Sequence, residues 1–138
     1  MRELTGHQVN PANDTLRIQV VDEPGSGGAN HAYVIHGANM HSNPSFGVLE
    51  ELAGSLGEEE DGYFVLFQQG PIPDAGVNGV THEVLLAIVI DRLECFQRGP
   101  FASAYNEVAL THLLLAQKTL LDRTRERIQR GVEGTHKA

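Results

Sequence analysis

The sequence predicts an α+β fold: a small N-terminal antiparallel β-sheet followed by a C-terminal antiparallel helical hairpin. Three observations predict it. Short alternating or β-rich stretches fill the first half, separated by loops rich in Gly, Pro and Asn. Two long stretches with helical apolar spacing fill the last third. The break between those two is so short that the helices must fold back antiparallel.

The elements follow in chain order. Residues 1–14, with Gly6, Asn10, Pro11 and Asn13, read as a loose N-terminal arm. From Thr15 to Asp22 apolar and polar residues alternate, with Leu16, Ile18 and Val20 on one face of a half-buried strand. Glu23–Asn30 is a turn-rich loop, and His31–His36 is a second strand. Ser45–Leu56 has helical spacing through Phe46, Leu49, Leu52 and Leu56, weakened by Gly47 and Gly54. Gly57–Gly62 is an acidic turn. Tyr63–Gln68 is the most strand-like stretch, and its near-continuous apolar character predicts burial on both faces. These elements make a β-domain over residues 15–77.

The hairpin is expected over 78–131, with a tail over 132–138. Its first helix starts near Thr81 and ends near Gln97, because Gly99 accepts positive φ and Pro100 cannot continue a helix. The unbroken apolar run Val84–Ile90 has the size of a buried helix segment. Ser103 is placed to cap the second helix, which runs to about Arg130. Leu110, Leu113, Leu114, Gln117, Leu121, Thr124 and Ile128 form its stripe, widened by Leu120. Its last turns collect Lys118, Arg123, Arg125, Arg127 and Arg130 against Asp122 and Glu126 alone. Cations there oppose the negative end of the helix dipole, which is reason enough for a solvated basic helix end. They also suit an anion site, since Arg123 and Arg127, four apart, project from one face.

Composition narrows the function classes. The chain of 138 residues has a formal charge of -8, which argues against a DNA or RNA polymer as partner. A small anion in a local basic pocket remains compatible with it. No apolar run is long enough to span a bilayer, and the N-terminus shows no hydrophobic signal region, so no membrane association is expected. The single cysteine, Cys95, excludes an intrachain disulfide and suits a reducing cytosol. Sitting in a helix, it is expected to pack rather than act as a nucleophile with His112.

Other candidates reduce to structure. Gly25-Ser26-Gly27-Gly28 lacks the Lys-Ser/Thr and the helix of a phosphate loop. His31, His36 and His41 recur at odd spacing, which points strand residues to opposite faces, and no Cys or carboxylate completes a ligand set. The acidic turn lacks calcium-loop spacing. No metal, cofactor or catalytic residue is predicted, and no hydrolase or transferase signature is present.

Several segments carry a resemblance. Leu66-Phe67-Gln68-Gln69-Gly70-Pro71-Ile72, Gly76-Val77-Asn78-Gly79-Val80-Thr81, Asp91-Arg92-Leu93, Phe96-Gln97, Gly99-Pro100-Phe101, Asn106 and the run Arg123 to His136 resemble the Thoeris anti-defence family of phage sponge proteins. That family shares its C-terminal hairpin with anti-CBASS cyclic-oligonucleotide sponges. The resemblance covers most of the chain from about Thr15 and is densest after Leu66. It implies a non-enzymatic protein acting in the cytoplasm of the infected bacterial host. It implies sequestration of glyco-cyclic ADP-ribose, the messenger of TIR-domain immune proteins, with cyclic di- or trinucleotides as ligands at separate sites. It also implies a homo-oligomer in which dimers assemble to a hexamer.

By the same resemblance, Phe96, Asn106, Arg123 and Arg127 line the pocket. Phe96 would stack on adenine, Asn106 would bond a base edge or ribose hydroxyl, and the two arginines would hold the diphosphate. Helix geometry adds a condition. At 1.5 Å rise per residue, Asn106 and Arg127 lie roughly 30 Å apart. A ligand on the order of 10 Å across cannot touch both ends of one hairpin. One site using all four residues must therefore be shared between two chains, with two equivalent pockets per twofold dimer. Two rivals make different demands. A small cyclic-nucleotide hydrolase would turn the messenger over. An interaction protein would use the hairpin as a seam and bind no small molecule.

Overall fold

A computed structural model describes residues 1–8, 15–25, 28–53 and 62–138. Part of the expected arm, Ser26 and Gly27, and the acidic turn over 57–61 lie outside the described residues, as does the stretch 54–56 that would end the first predicted helix. The chain divides into two units, Met1–Leu66 and Phe67–Ala138.

The first unit is a four-stranded antiparallel sheet in chain order: β1 (Arg2–Leu4), β2 (Arg17–Val20), β3 (Ala32–His36) and β4 (Gly62–Leu66). The α+β class and the antiparallel sheet are as the sequence predicts. The register pairs Ile18 with Leu4 and Ile35, and Tyr33 with Val20 and Val65. Directly paired residues share a face, so Leu4, Ile18, Val20, Tyr33, Ile35 and Val65 form one apolar surface. Val20 is its buried member. The opposite face carries Gln19 and the Arg17–Glu3 ion pair, with the two charged groups 2.9 Å apart.

Two expectations change here. The N-terminal arm contributes a strand, because Arg2, Glu3 and Leu4 pair with β2. β4 is not buried on both faces: it is the last strand of the described sheet, and Tyr63, Phe64 and Leu66 are exposed. Aromatic and β-branched composition predicted the strand but could not say that no neighbour lies beyond it. Between β3 and β4 come a single 3-10 turn, Met40–Ser42, and α1 (Phe46–Ala53).

The second unit opens with a closed loop. Phe67 bridges Val80, and the Gln68 backbone N–H donates to the Val80 carbonyl at 3.2 Å. Gln68 and Asn78 tie it across: Gln68 Oε1 accepts from the Asn78 backbone N–H (2.9 Å), and Asn78 Oδ1 accepts from the Gln69 N–H (3.0 Å). Gly79 is required, because a Cβ there would overlap the Phe67 backbone. One turn of helix, α2 (Ile72–Ala75), sits inside this loop.

The hairpin follows as α3 (His82–Gln97) and α4 (Ala104–Gln129). Thr81 and Ser103 cap the two helices, accepting from the N–H groups of Val84 (3.4 Å) and Asn106 (3.1 Å). The least exposed positions of α4 are Asn106, Leu110, Leu113, Gln117, Leu120, Thr124 and Arg127, an unbroken alternation of three- and four-residue steps. On α3 the matching seam is Glu83, Leu86, Ile90, Leu93 and Gln97, with Ile90 only 7% exposed. This is the heptad spacing of two helices packed along their length.

The stripe is narrower than the sequence suggested. Leu114, Leu121 and Ile128 are exposed, as are Val84, Ile88 and Val89 of the apolar run. A single antiparallel neighbour covers a two-in-seven seam, which leaves the third apolar position of each heptad uncovered in one chain. Cys95 is likewise exposed rather than packed, and its Sγ accepts from Arg98 Nη2 at 3.2 Å. Among the described residues no helix is long and apolar enough to cross a membrane.

Candidate ligand site at the two ends of the hairpin

The tip is built on one pair of hydrogen bonds. Gln97 ends α3 on the seam, and its Oε1 accepts from the Ser103 N–H (2.9 Å) while its Nε2 donates to the Ser103 carbonyl (3.1 Å). This locks the connection 98–102. Phe96 is then left 39% exposed, with the ring of Phe101 edge-on at 6.3 Å and the Arg92 guanidinium over its face at 5.5 Å. Asn106 donates its Nδ2 to the Phe101 carbonyl at 3.1 Å. Phe96 and Asn106 therefore belong to one cluster through Phe101. Phe101 and Tyr105, 73% and 90% exposed, extend the aromatic surface outward.

Arg92 is the residue that the sequence reading passed over. It lies one helical turn before Phe96, and that four-residue spacing was a legible signal for a cation above the ring. A base stacked on Phe96 meets either Arg92 or the ring's opposite face.

The base of the hairpin is cationic, and most of its charge is paired. Asp122 takes Lys118 at 2.6 Å and Arg125 at 2.9 Å. The Lys118 hydrogen bond, foremost, holds the Asp122 carboxyl below the usual aspartate range. Arg130 pairs with Glu126. Arg123 is exposed and makes no hydrogen bond or ion pair among the described residues.

Arg127, on the seam, is 18% exposed and heavily engaged. Its Nε donates to Glu133 Oε2 (2.8 Å) and its Nη1 to the Lys137 carbonyl (2.7 Å). Its Nη2 donates to the carbonyls of Val132 (2.9 Å) and Thr135 (3.2 Å). The chain reaches these positions because α4 ends in a reversal. The Val132 N–H donates to the Arg127 carbonyl and the Gly131 N–H to that of Ile128, both at 3.0 Å, with Gly131 at a φ of 69°. That is the glycine-ended cap in which the residue after the cap turns left-handed. Glu133 was the second residue missed. Its signal was an acid just beyond a glycine that turns the chain back on an arginine.

The structure thus brings Phe96 together with Asn106, and Arg123 together with Arg127, one turn apart on α4. The two pairs lie at opposite ends of the hairpin, with Phe96 on α3 and the other three on α4. His31 and His41 lie elsewhere, beside Asp22 and against the ring of Phe46. Desolvation opposes ionisation of Asp22. The backbone N–H groups of His31 and Ala32 outweigh it and hold the carboxyl low.

Residues 62–120, which take in the closed loop, α3 and much of α4, match the Acb2/Tad1 hairpin domain. That match takes in Phe96 and Asn106 and ends before both site arginines. A relative described as Thoeris anti-defense 1, from Bacillus phage SBSphiJ7, is 51% identical over 72 residues. Those residues are 52% of this chain and 51% of the relative, so the chain matches about half the length of that curated protein. Over this segment the chain is similar to the Acb2/Tad1 hairpin domain and to a phage anti-defence protein.

Proposed function

We propose that this protein is a non-enzymatic sponge. It binds glyco-cyclic ADP-ribose made by TIR-domain immune proteins in the infected bacterium and withholds it from its receptor. The observation that carries this reading is the hairpin itself. Its matched segment holds an aromatic and amide cluster at the tip, and an arginine that is exposed and unpaired among the described residues stands at the base. Phe96 supplies the stacking surface and Asn106 a polar contact, while Arg123 and Arg127 face the diphosphate. Capture by enclosure needs no nucleophile or general base.

The pocket is assembled between two chains. Asn106 and Arg127 are separated by roughly 30 Å of helix, so a second hairpin packed antiparallel must bring its base to the first one's tip. The uncovered apolar positions Val84, Ile88, Val89, Leu114, Leu121 and Ile128 supply the surface for that packing. The dimer, and its assembly into a hexamer, are part of the proposal.

The test has two arms. Calorimetry against cyclic ADP-ribose isomers and cyclic di- and trinucleotides should give tight binding of the glyco-cyclic isomer. Heat denaturation of the complex should then return the ligand intact. Recovery of a hydrolysed product would instead make this an enzyme, and absence of binding would leave an interaction protein. For the shared pocket, Asn106→Ala and Arg127→Ala chains are mixed with subunit exchange. About a quarter of all pockets should regain tight binding under random pairing, as twofold symmetry requires. Verified heterodimers without tight sites would sink the shared pocket.

A further inference from the structure

The base of the hairpin holds an anion already. The Glu133 carboxylate sits on Arg127 Nε at 2.8 Å, and three backbone carbonyls take the Nη atoms. A guanidinium offers its fork to a phosphate through the same N–H groups. In this arrangement no two-point edge of Arg127 is open to an outside oxyanion.

The segment doing this is a built element. Gly134 accepts from the Ile72 N–H at 2.7 Å, Thr135 Oγ1 donates to the Val132 carbonyl at 2.6 Å, and Arg130 Nη1 donates to the Ala138 carbonyl at 2.9 Å. It is pinned to α4 on one side and to α2 on the other. Arg123, one turn earlier, is exposed and has no hydrogen bond or ion pair among the described residues.

We infer that Glu133 is an internal competitor that sets affinity and specificity at the anion site, with residues 131–138 forming a latch over Arg127. The inference rests on the reading of Arg127 as a ligand contact. An incoming anion first meets Arg123, then replaces Glu133 on Arg127. A diphosphate carries charge enough for both arginines and exceeds the single charge of the carboxylate it displaces. A monoanion gains one arginine and displaces nothing. The latch thus selects diphosphate-bearing ligands over nucleosides and monoanions. The half-exposed position of Glu133 keeps the exchange cheap, since such ion pairs contribute little in water.

The experiment titrates the full chain and its Glu133→Gln variant with glyco-cyclic ADP-ribose and with inorganic pyrophosphate. Glutamine keeps the shape and an acceptor but removes the charge. Glu133→Gln should bind both probes about two- to fivefold tighter, the range that a partly exposed ion pair allows. Glu126→Gln, which removes an equal charge from Arg130 on the same helix, should change affinity far less. Equal affinity in wild type and Glu133→Gln, or an equal gain in Glu126→Gln, overturns the latch. If wild type ignores glyco-cyclic ADP-ribose while Glu133→Gln still tightens pyrophosphate, the latch stands and the proposed ligand falls. Failure of every variant to bind either probe overturns both.

Discussion

At the tip of the hairpin, polar side chains are spent on the chain itself so that an aromatic ring can be left out. Gln97 closes on Ser103, Asn106 on the Phe101 carbonyl, and Phe96 remains partly exposed above them. At the base the order is reversed. Arg127 is spent on the 131–138 segment, and a cation left unpaired among the described residues is Arg123. Each end thus leaves one group exposed and engages its neighbour with the chain itself. Residue type alone did not separate the two roles, because an arginine that braces a segment and one that grips a phosphate use the same donors.

The sharpest way to break this comparison is at the base. Arg123→Ala should weaken ligand binding by about 1.5–3 kcal/mol, the range for hydrogen bonds to charged groups. Its thermal stability should stay within about 0.5 kcal/mol of wild type, as for exposed surface positions. Arg127→Ala should lose binding too, but with faster amide exchange across 131–138. If Arg123→Ala loosened that segment as much, the division between support and grip would be wrong.

At the tip, Phe96→Ala should cost about 1–3 kcal/mol of binding if the ring stacks on a base. The ring is exposed enough that the loss of folding stability, read by denaturant titration, should fall short of the ~3–5 kcal/mol of a buried phenylalanine. A full core-sized loss would move Phe96 from the ligand to the interior. Gln97→Ala removes both bonds to Ser103 and should cost about 0.5–1.5 kcal/mol of stability for each. Its effect on binding should be smaller than that of Phe96→Ala, and calorimetry of the two variants side by side checks the order.

The smallest effect should come with pH, away from both ends. Asp22 has its carboxyl held low by backbone N–H groups of β3 and its approach, so its contribution is present above the ordinary aspartate range and lost as pH falls through the depressed folded value. Acid should weaken the β2–β3 connection, and Asp22→Asn should flatten that dependence in a thermal melt series. An unchanged acid limb in the variant would discard Asp22 as its source.

The sequence by itself determined what depends on near neighbours. Ser103 had to cap a helix and Gly99-Pro100 had to end one, because each choice is made by backbone sterics and hydrogen bonds within a few residues. The alternation in β2 and the helical spacing of α4 were legible for the same reason. The roughly 30 Å between Asn106 and Arg127 also followed from sequence, since helix rise is a property of the backbone.

Only the tertiary structure decided which apolar positions are covered and which polar groups are free. Leu113 is packed and Leu114 is not, though both read as stripe, because one antiparallel partner shields one narrow seam. β4 looked buried and is an edge, because exposure depends on what lies beyond it. Arg127 looked like its neighbour Arg123 and is held by a carboxylate and three carbonyls that return from beyond the helix end. Availability of a charged group is set by its surroundings in space, and those are assembled from residues that sequence spacing does not place side by side.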